Sequence, residues 1–238
     1  MDLSFINLPF LIDTFFVALS GVPITLFVTA VSLLIALPLG FILALSRIYE
    51  VPVINRLAKI YVSFVRGTPI IIQIFVLYSS IPLILTGIFE TYNINYSVYD
   101  IHPLWYGFII FSFNTAAILI EVFRSALGAV DKGQLEAAQS VGLTNAQAYR
   151  RIVIPQALVV AVPNLCTATV NLIKATSLGY AISLHEITLK AKVAANVGYN
   201  YVEAYIDIFL VYLILCLTVE CLFKVYERRL KRFRYVGA

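Results

Sequence analysis

The sequence predicts an all-α integral membrane protein of about five membrane-crossing helices, with one cytoplasmic loop that folds in its own right. Composition is the first reason. Of 238 residues, 61% are hydrophobic and 13% charged, with a mean hydropathy of +0.91, a balance outside the range of soluble domains. The second is segmentation, since the apolar residues fall into runs that reach the roughly 20 residues a span requires. The third is the polar island at 131–152, which lies between two such runs and carries helix start and stop signals. No internal repeat, low-complexity tract or second soluble domain interrupts this pattern.

The placement of charge orients the chain. Arg47, Arg56 and Lys59 form one basic group, and Lys132, Arg150 and Arg151 a second. Lys224, Arg228, Arg229, Lys231, Arg232 and Arg234 form a third, whereas residues 1–23 and 89–105 contain no Lys or Arg. Basic segments stay cytoplasmic, so the N-terminus is expected outside, the C-terminus inside, and the number of spans odd. The net charge of +4 resides in these flanks and implies no nucleic-acid partner.

The elements follow in order. Residues 1–19 form an external segment in which 5–19 mixes apolar residues with Asn7, Pro9 and Asp13, the mark of an interfacial helix. No basic n-region precedes it, so a cleavable signal is not expected. The transmembrane domain covers 20–227 and a basic cytoplasmic tail 228–238. Its first span runs over about 24–45. The second covers about 54–85 and is interrupted at Arg66-Gly67-Thr68-Pro69, where a missing amide and a flexible glycine predict a kink. Tyr92, Tyr96, Tyr99 and Trp105 mark a membrane–water boundary at the external loop 87–102. The third span, about 106–127, leads into the polar island.

That island, the loop 131–152, reads as two short helices. Asp131 caps the first, Gly142 ends it in a left-handed turn, and Thr144 with Gln147 has capping-box spacing for the second. Pro155 is expected to open the fourth span, about 155–173, at a position that needs no amide donor. Residues 174–204 are too polar to cross and are placed outside, and the fifth span covers about 205–226.

Polar side chains at membrane depth are costly and point to function. Arg66 either snorkels to the cytoplasmic surface or lines a solvated path beside the helix break. Asn114 and Thr115 lie mid-span, where polar pairs face a cavity or a partner helix, and Asn114 could approach Asn171 across a cleft. Glu121 and Arg124 are spaced to pair along one helix face. Lys174, Thr176 and Ser177 gather at the external end of the fourth span, while Asp207 and Glu220 have no evident partner.

Several activities find no support. The chain lacks a phosphate loop, a metal-ligand pattern and a nucleophile elbow, so it is not expected to be an enzyme or to bind a metal or ATP itself. His102 and His185 are isolated, and Cys166, Cys216 and Cys221 read as small buried hydrophobes, not a disulfide framework. A secondary carrier driven by an ion gradient is the alternative class. It calls for paired mid-membrane charges or an inverted repeat.

Glu136-Ala137-Ala138, Gly142, Ile152 and Ile154-Pro155 together resemble the signature loop of permease subunits of binding-protein-dependent ABC importers. Phe64-Val65-Arg66-Gly67-Thr68-Pro69, Asn114-Thr115-Ala116-Ala117 and Lys174-Ala175-Thr176-Ser177-Leu178 with Glu186 resemble the polar amino acid group of that family. Glu186-Ile187-Thr188, Gly198-Tyr199-Asn200-Tyr201 and Glu203-Ala204-Tyr205 are similar to its cystine permeases. The resemblance implies a type I importer transmembrane domain working as a homo- or heterodimer. It implies that Glu136, Ala137, Ala138, Gly142 and Leu143 couple to a cytoplasmic ATPase subunit that holds ATP and magnesium. An external solute-binding protein would deliver the amino acid. Arg66, Asn114, Thr115, Glu121, Thr176 and Ser177 are then the pathway candidates. Many relatives carry Asp or Asn where this chain has Ala175, which weakens the case for a cationic substrate.

Overall fold

The computed structural model describes residues 6–235, with side chains through Leu230. The expectations for residues 1–5 and 236–238, and for the side chains of Lys231, Arg232 and Arg234, lie outside the described part. Within it every regular element is helical, and five stretches are long and apolar enough to cross a membrane. They are Leu8–Ile48, Ile70–Thr91, Pro103–Gly128, Asn145–Ile182 and Tyr201–Leu230.

Helix α1 (Leu8–Leu19) begins at Asn7, whose side chain accepts from the Phe10 amide. It runs almost directly into α2 (Val22–Ile48). Instead of lying free on the bilayer surface, α1 buries Thr14 and Ala18, the latter in a cluster with Ile187, Ala204 and Val211. The turn between α1 and α2 requires Gly21. A Cβ there would lie 2.4 Å from the Ile187 amide nitrogen, so only hydrogen fits.

The centre of the bundle is α2 against α5 (Pro103–Gly128). Helices in lipid gain little from burying apolar surface and associate by close packing of small residues. Ser32, Ala36, Gly40 and Ala44 recur every fourth residue on α2 and are buried, and a Cβ on Gly40 would lie 2.8 Å from the Leu119 Cβ. The expected second span over 54–85 divides at Thr68-Pro69, where the sequence places the break: α3 (Ile54–Gly67) is short, amphipathic and not among the crossing stretches, and α4 (Ile70–Thr91) alone is long and apolar enough to cross. On the far side, a single turn at Val98–Asp100 precedes α5.

The polar island contains α6 (Lys132–Ser140) and α7 (Asn145–Ala148). Here one expectation fails. Pro155 does not open the fourth span, because α7, a π-turn at Tyr149–Val153 and α8 (Ile154–Thr176) form one unbroken helical run. In that run the Ile154 amide reaches back five residues to the Tyr149 carbonyl. A proline ring clashes with the carbonyl four residues before it, and the widened turn relieves that clash without ending the helix. The knob's second helix is therefore the rigid first turn of the fourth span.

The segment at 174–204 is also more ordered than a loop. It holds a tight turn at Ser177–Ile182 and helix α9 (Ile187–Ala195), and α10 (Tyr201–Tyr235) starts one turn earlier than the hydropathy suggests.

Candidate functional site

The break between α3 and α4 shows how an interrupted helix keeps its backbone groups bonded. Thr68 and Pro69 are extended, which strands carbonyls at the end of α3. Gln73, buried on the first turn of α4, repairs this. Its Nε2 donates to the Val65 carbonyl (2.9 Å), the Thr68 carbonyl (3.0 Å) and Thr68 Oγ1 (2.8 Å). Its Oε1 accepts from Asn114 Nδ2 at 2.9 Å. The Tyr61 hydroxyl adds a bond to the Phe113 carbonyl one residue away. Asn114 thus braces the break, and no hydrogen bond joins it to Asn171 among the described residues. Thr115 is buried in α5, and Arg66 is exposed beside the break.

Glu121 belongs to an ion-pair triad that ties the C-terminal part of α2 to that of α5. One carboxylate oxygen accepts from Arg47 Nη1 and the other from Arg124 Nε and Nη2, at 3.0 and 2.7 Å. The spacing predicts the Arg124 partner. Arg47 comes from another helix, and the sequence marks it only as a positive-inside flank. Glu220, which has no evident partner in the sequence, lies 3.9 Å from Lys224 one turn on. The Asp207 carboxylate is fully buried with no hydrogen-bond partner among the described residues.

At the C-terminal end of α8, Thr176 turns inward. It is fully buried, donates to the Ile173 carbonyl and lies 3.3 Å from the Tyr212 hydroxyl, so its hydroxyl faces the interior of the fold. Ser177 lines a groove between α8 and α10 with Lys174, Tyr212 and Glu220.

Tyr212 also donates to Glu186 Oε2 at 2.7 Å. Glu186 is fully buried and caps α9, accepting from the Thr188 and Leu189 amides at 2.8 and 3.0 Å. It lies outside the spans, and burial pushes its carboxyl up to about 7 against the pull of these hydrogen bonds. A raised carboxyl binds its proton more tightly in the folded state, so the stability it lends is full below the unfolded value near 4.5. It is lost as pH rises toward 7. Hydrogen-exchange protection at Thr188 and Leu189 should fall over that window and flatten in Glu186→Gln. A parental profile independent of pH would refute the linkage.

The knob is exposed and stiff. Asp131 Oδ1 accepts from the Gly133 amide at 2.7 Å, and Thr144 and Gln147 make the reciprocal capping-box bonds. Helix α6 closes with the Gly142 amide on the Gln139 carbonyl (2.9 Å) and the Leu143 amide on the Ala138 carbonyl (3.1 Å). This paired closure needs a left-handed residue, and Gly142 has φ +85°. Gln139 Nε2 ties α6 to Asn145 at 2.6 Å. Glu136, Ala137 and Gly142 face outward with Val141, which is 76% exposed. Ala138 instead packs inward and Leu143 is half-buried.

A five-span bundle carrying a capped, exposed knob between its third and fourth spans is the build of a transport-system membrane subunit. The chain belongs to the family described as binding-protein-dependent transport system inner membrane component, whose model matches residues 36–232. It is a multi-pass permease subunit of the ABC importer type. The L-cystine transport system permease protein TcyL of Bacillus subtilis (strain 168) is 40% identical over 210 residues, 88% of this chain and 85% of its own length. The arginine transport system permease protein ArtQ of the same organism is 31% identical, covering 90% and 92%. Among solved structures, a crystal structure of an amino acid ABC transporter with histidines superposes with a TM-score of 0.74 at 30% identity, covering 90% of this chain and 94% of that one. The MetNI methionine ABC transporter shares the fold, with a TM-score of 0.69 at 18% identity, covering 94% and 99%.

Proposed function

We propose that this chain forms half of the path by which a polar amino acid enters the cell, driven by a separate ATPase subunit. The observation that carries the reading is the exposed knob, closed at both helix junctions and fused through the π-turn to the fourth span. A rigid lever of that kind passes force from a cytoplasmic partner into the bundle. In this reading Glu136, Ala137, Gly142 and Val141 meet the ATPase, and Ala138 and Leu143 hold the lever's shape from within. ATP and magnesium reside on that partner, and catalysis is not a task of this chain. A second permease subunit, identical or different, completes the path. An external binding protein delivers the substrate to the side where the N-terminus lies, and the C-terminal tail is cytoplasmic.

The similarity to TcyL supports cystine or a comparable polar amino acid as cargo. So does Ala175, where no acid is present to attract a cation. Arg66, Ser177 and the exposed edge of Asn114 are the pathway groups. Thr115, Glu121 and Thr176 act by shaping that path. The coupling part is tested by co-purification, in which Glu136→Lys with Val141→Asp should lower retention of the ATPase about tenfold or more, since a buried interface charge without a partner costs several kcal/mol. Undiminished retention would remove this face from the interface. Asn114→Leu should raise the KM for uptake while ATPase retention stays at the parental value. An unchanged KM would reduce Asn114 to packing.

A further inference from the structure

The turn that joins α2 to α3 carries strain that packing does not offset. Val53 has φ +68° and ψ −59°, and the Ile54 amide donates to the Pro52 carbonyl at 2.8 Å. That is a γ-turn of positive φ, a rare conformation that crowds any side chain and a β-branched one most. Glu50, three residues earlier, is also left-handed at φ +51°. Glycine would make the turn at Val53 without strain. Yet the Val53 side chain is 70% exposed, so the chain's own core gains little from it.

The turn is apolar as well as strained. Tyr49 and the run Val51-Pro52-Val53-Ile54 are all exposed. Contiguous exposed apolar surface marks a contact site, and backbone strain gathers at such sites. Position says which contact. The Tyr49 ring lies 6.0 Å from that of Tyr149, in the π-turn that carries the knob. Ile48 and Tyr49 on one side, with Lys132, Leu135 and Glu136 on the other, line one groove of about 260 Å³. Val53, four residues after Tyr49, is at most about 14 Å from it. The turn therefore stands beside α6, and its exposed face adjoins that of the knob. A stable interface takes about 20 residues or more from each side, which is more than α6 and α7 together hold.

We propose that the α2–α3 turn is a second contact for the ATPase subunit that meets the knob, with Val51 and Val53 as its apolar anchors. The inference rests on the importer reading above and deepens it by extending the partner's footprint from the knob to the end of α2. Tyr49 and Tyr149 join the two contacts, so a partner seated on both holds α2 and the fourth span together.

The test identifies what touches the turn. The full chain, assembled with its ATPase in lipid nanodiscs, carries Val53→p-benzoylphenylalanine or, separately, Val141→p-benzoylphenylalanine. After irradiation, mass spectrometry identifies what each position has captured. Both should form adducts with the ATPase, whereas Leu34→p-benzoylphenylalanine, on an exposed face of α2, should form none with it. Val53→Gly should lower ATPase retention about fivefold, as loss of one apolar side chain from an interface implies. The same variant, in the full chain without its partner, should unfold at no lower temperature, because relief of strain outweighs the flexibility of glycine. Val53→Ile should retain the ATPase at the parental level. An adduct at position 53 with lipid or with a second permease subunit, or no adduct, would overturn the proposal. Undiminished retention in Val53→Gly would do the same, as would a lower unfolding temperature, which would make Val53 a packing residue. Capture of the ATPase at position 141 but not at 53 refutes this inference alone. Capture at neither removes the importer reading with it.

Discussion

Gly142→Val is expected to leave the bundle folded and inserted yet to lower ATP-driven uptake by roughly tenfold or more, with hydrolysis by the partner continuing. The residue sits at φ +85° with open space where a Cβ would point, so the cost is backbone strain and not a clash. A left-handed conformation costs an ordinary residue about 1–2 kcal/mol and a β-branched one more. That is enough to shift the knob to other geometries by about an order of magnitude. The two closing bonds, from Gly142 to Gln139 and from Leu143 to Ala138, would then be lost or displaced. With them goes the fixed angle between α6 and the fourth span. The spans themselves make no contact that depends on Gly142. A graded series sharpens the test, because asparagine visits the left-handed region more readily than other side chains. Activity should fall in the order Gly142, Asn, Ala, Val. Parental uptake by the valine variant would show that the loop does not transmit force.

Glu121→Ala is expected to be the most destabilising single change where the C-terminal parts of α2 and α5 meet, at about 3–5 kcal/mol. Glu121 and Arg47 have side chains only 20% and 14% exposed, and removing the carboxylate leaves the Arg47 guanidinium buried without its counter-charge. Arg124 is 45% exposed, so its bond is screened and Arg124→Ala should cost under about 1 kcal/mol. Combining Glu121→Leu with Arg47→Met should recover much of the loss, since two apolar side chains of similar size bury no charge. Thermal unfolding of the purified complex reads all three. Equal effects of Glu121→Ala and Arg124→Ala would mean that the inter-helix pair to Arg47 contributes nothing.

Much of this architecture is legible in the chain because its signals are local. Asp131, Gly142 and the Thr144–Gln147 pair announce the knob within a few residues of the bonds they make. The apolar runs announce the spans, and Thr68-Pro69 announces the break. What escapes depends on partners distant in sequence. Gln73 reads as a stray amide in an apolar run, and its role emerges only when the helix breaks and Asn114 arrives 41 positions later. A polar amide four residues after a proline is the available clue. Glu186 lies in what the hydropathy marks as an external loop, and its carboxylate is explained by Tyr212 on another helix. Thr176 has the look of a pathway hydroxyl but faces that same buried pair. Pro155 misleads because a proline near a helix start is usual, and the π-turn just before it leaves no mark in composition.

The most direct measurement is uptake of labelled cystine, glutamine, glutamate, arginine and histidine by vesicles holding this chain with its co-purifying ATPase, with and without ATP. Uptake should require ATP, with cystine or another uncharged or anionic amino acid carried in preference to arginine. Uptake indifferent to ATP and driven by an ion gradient would contradict the importer mechanism and establish a secondary carrier.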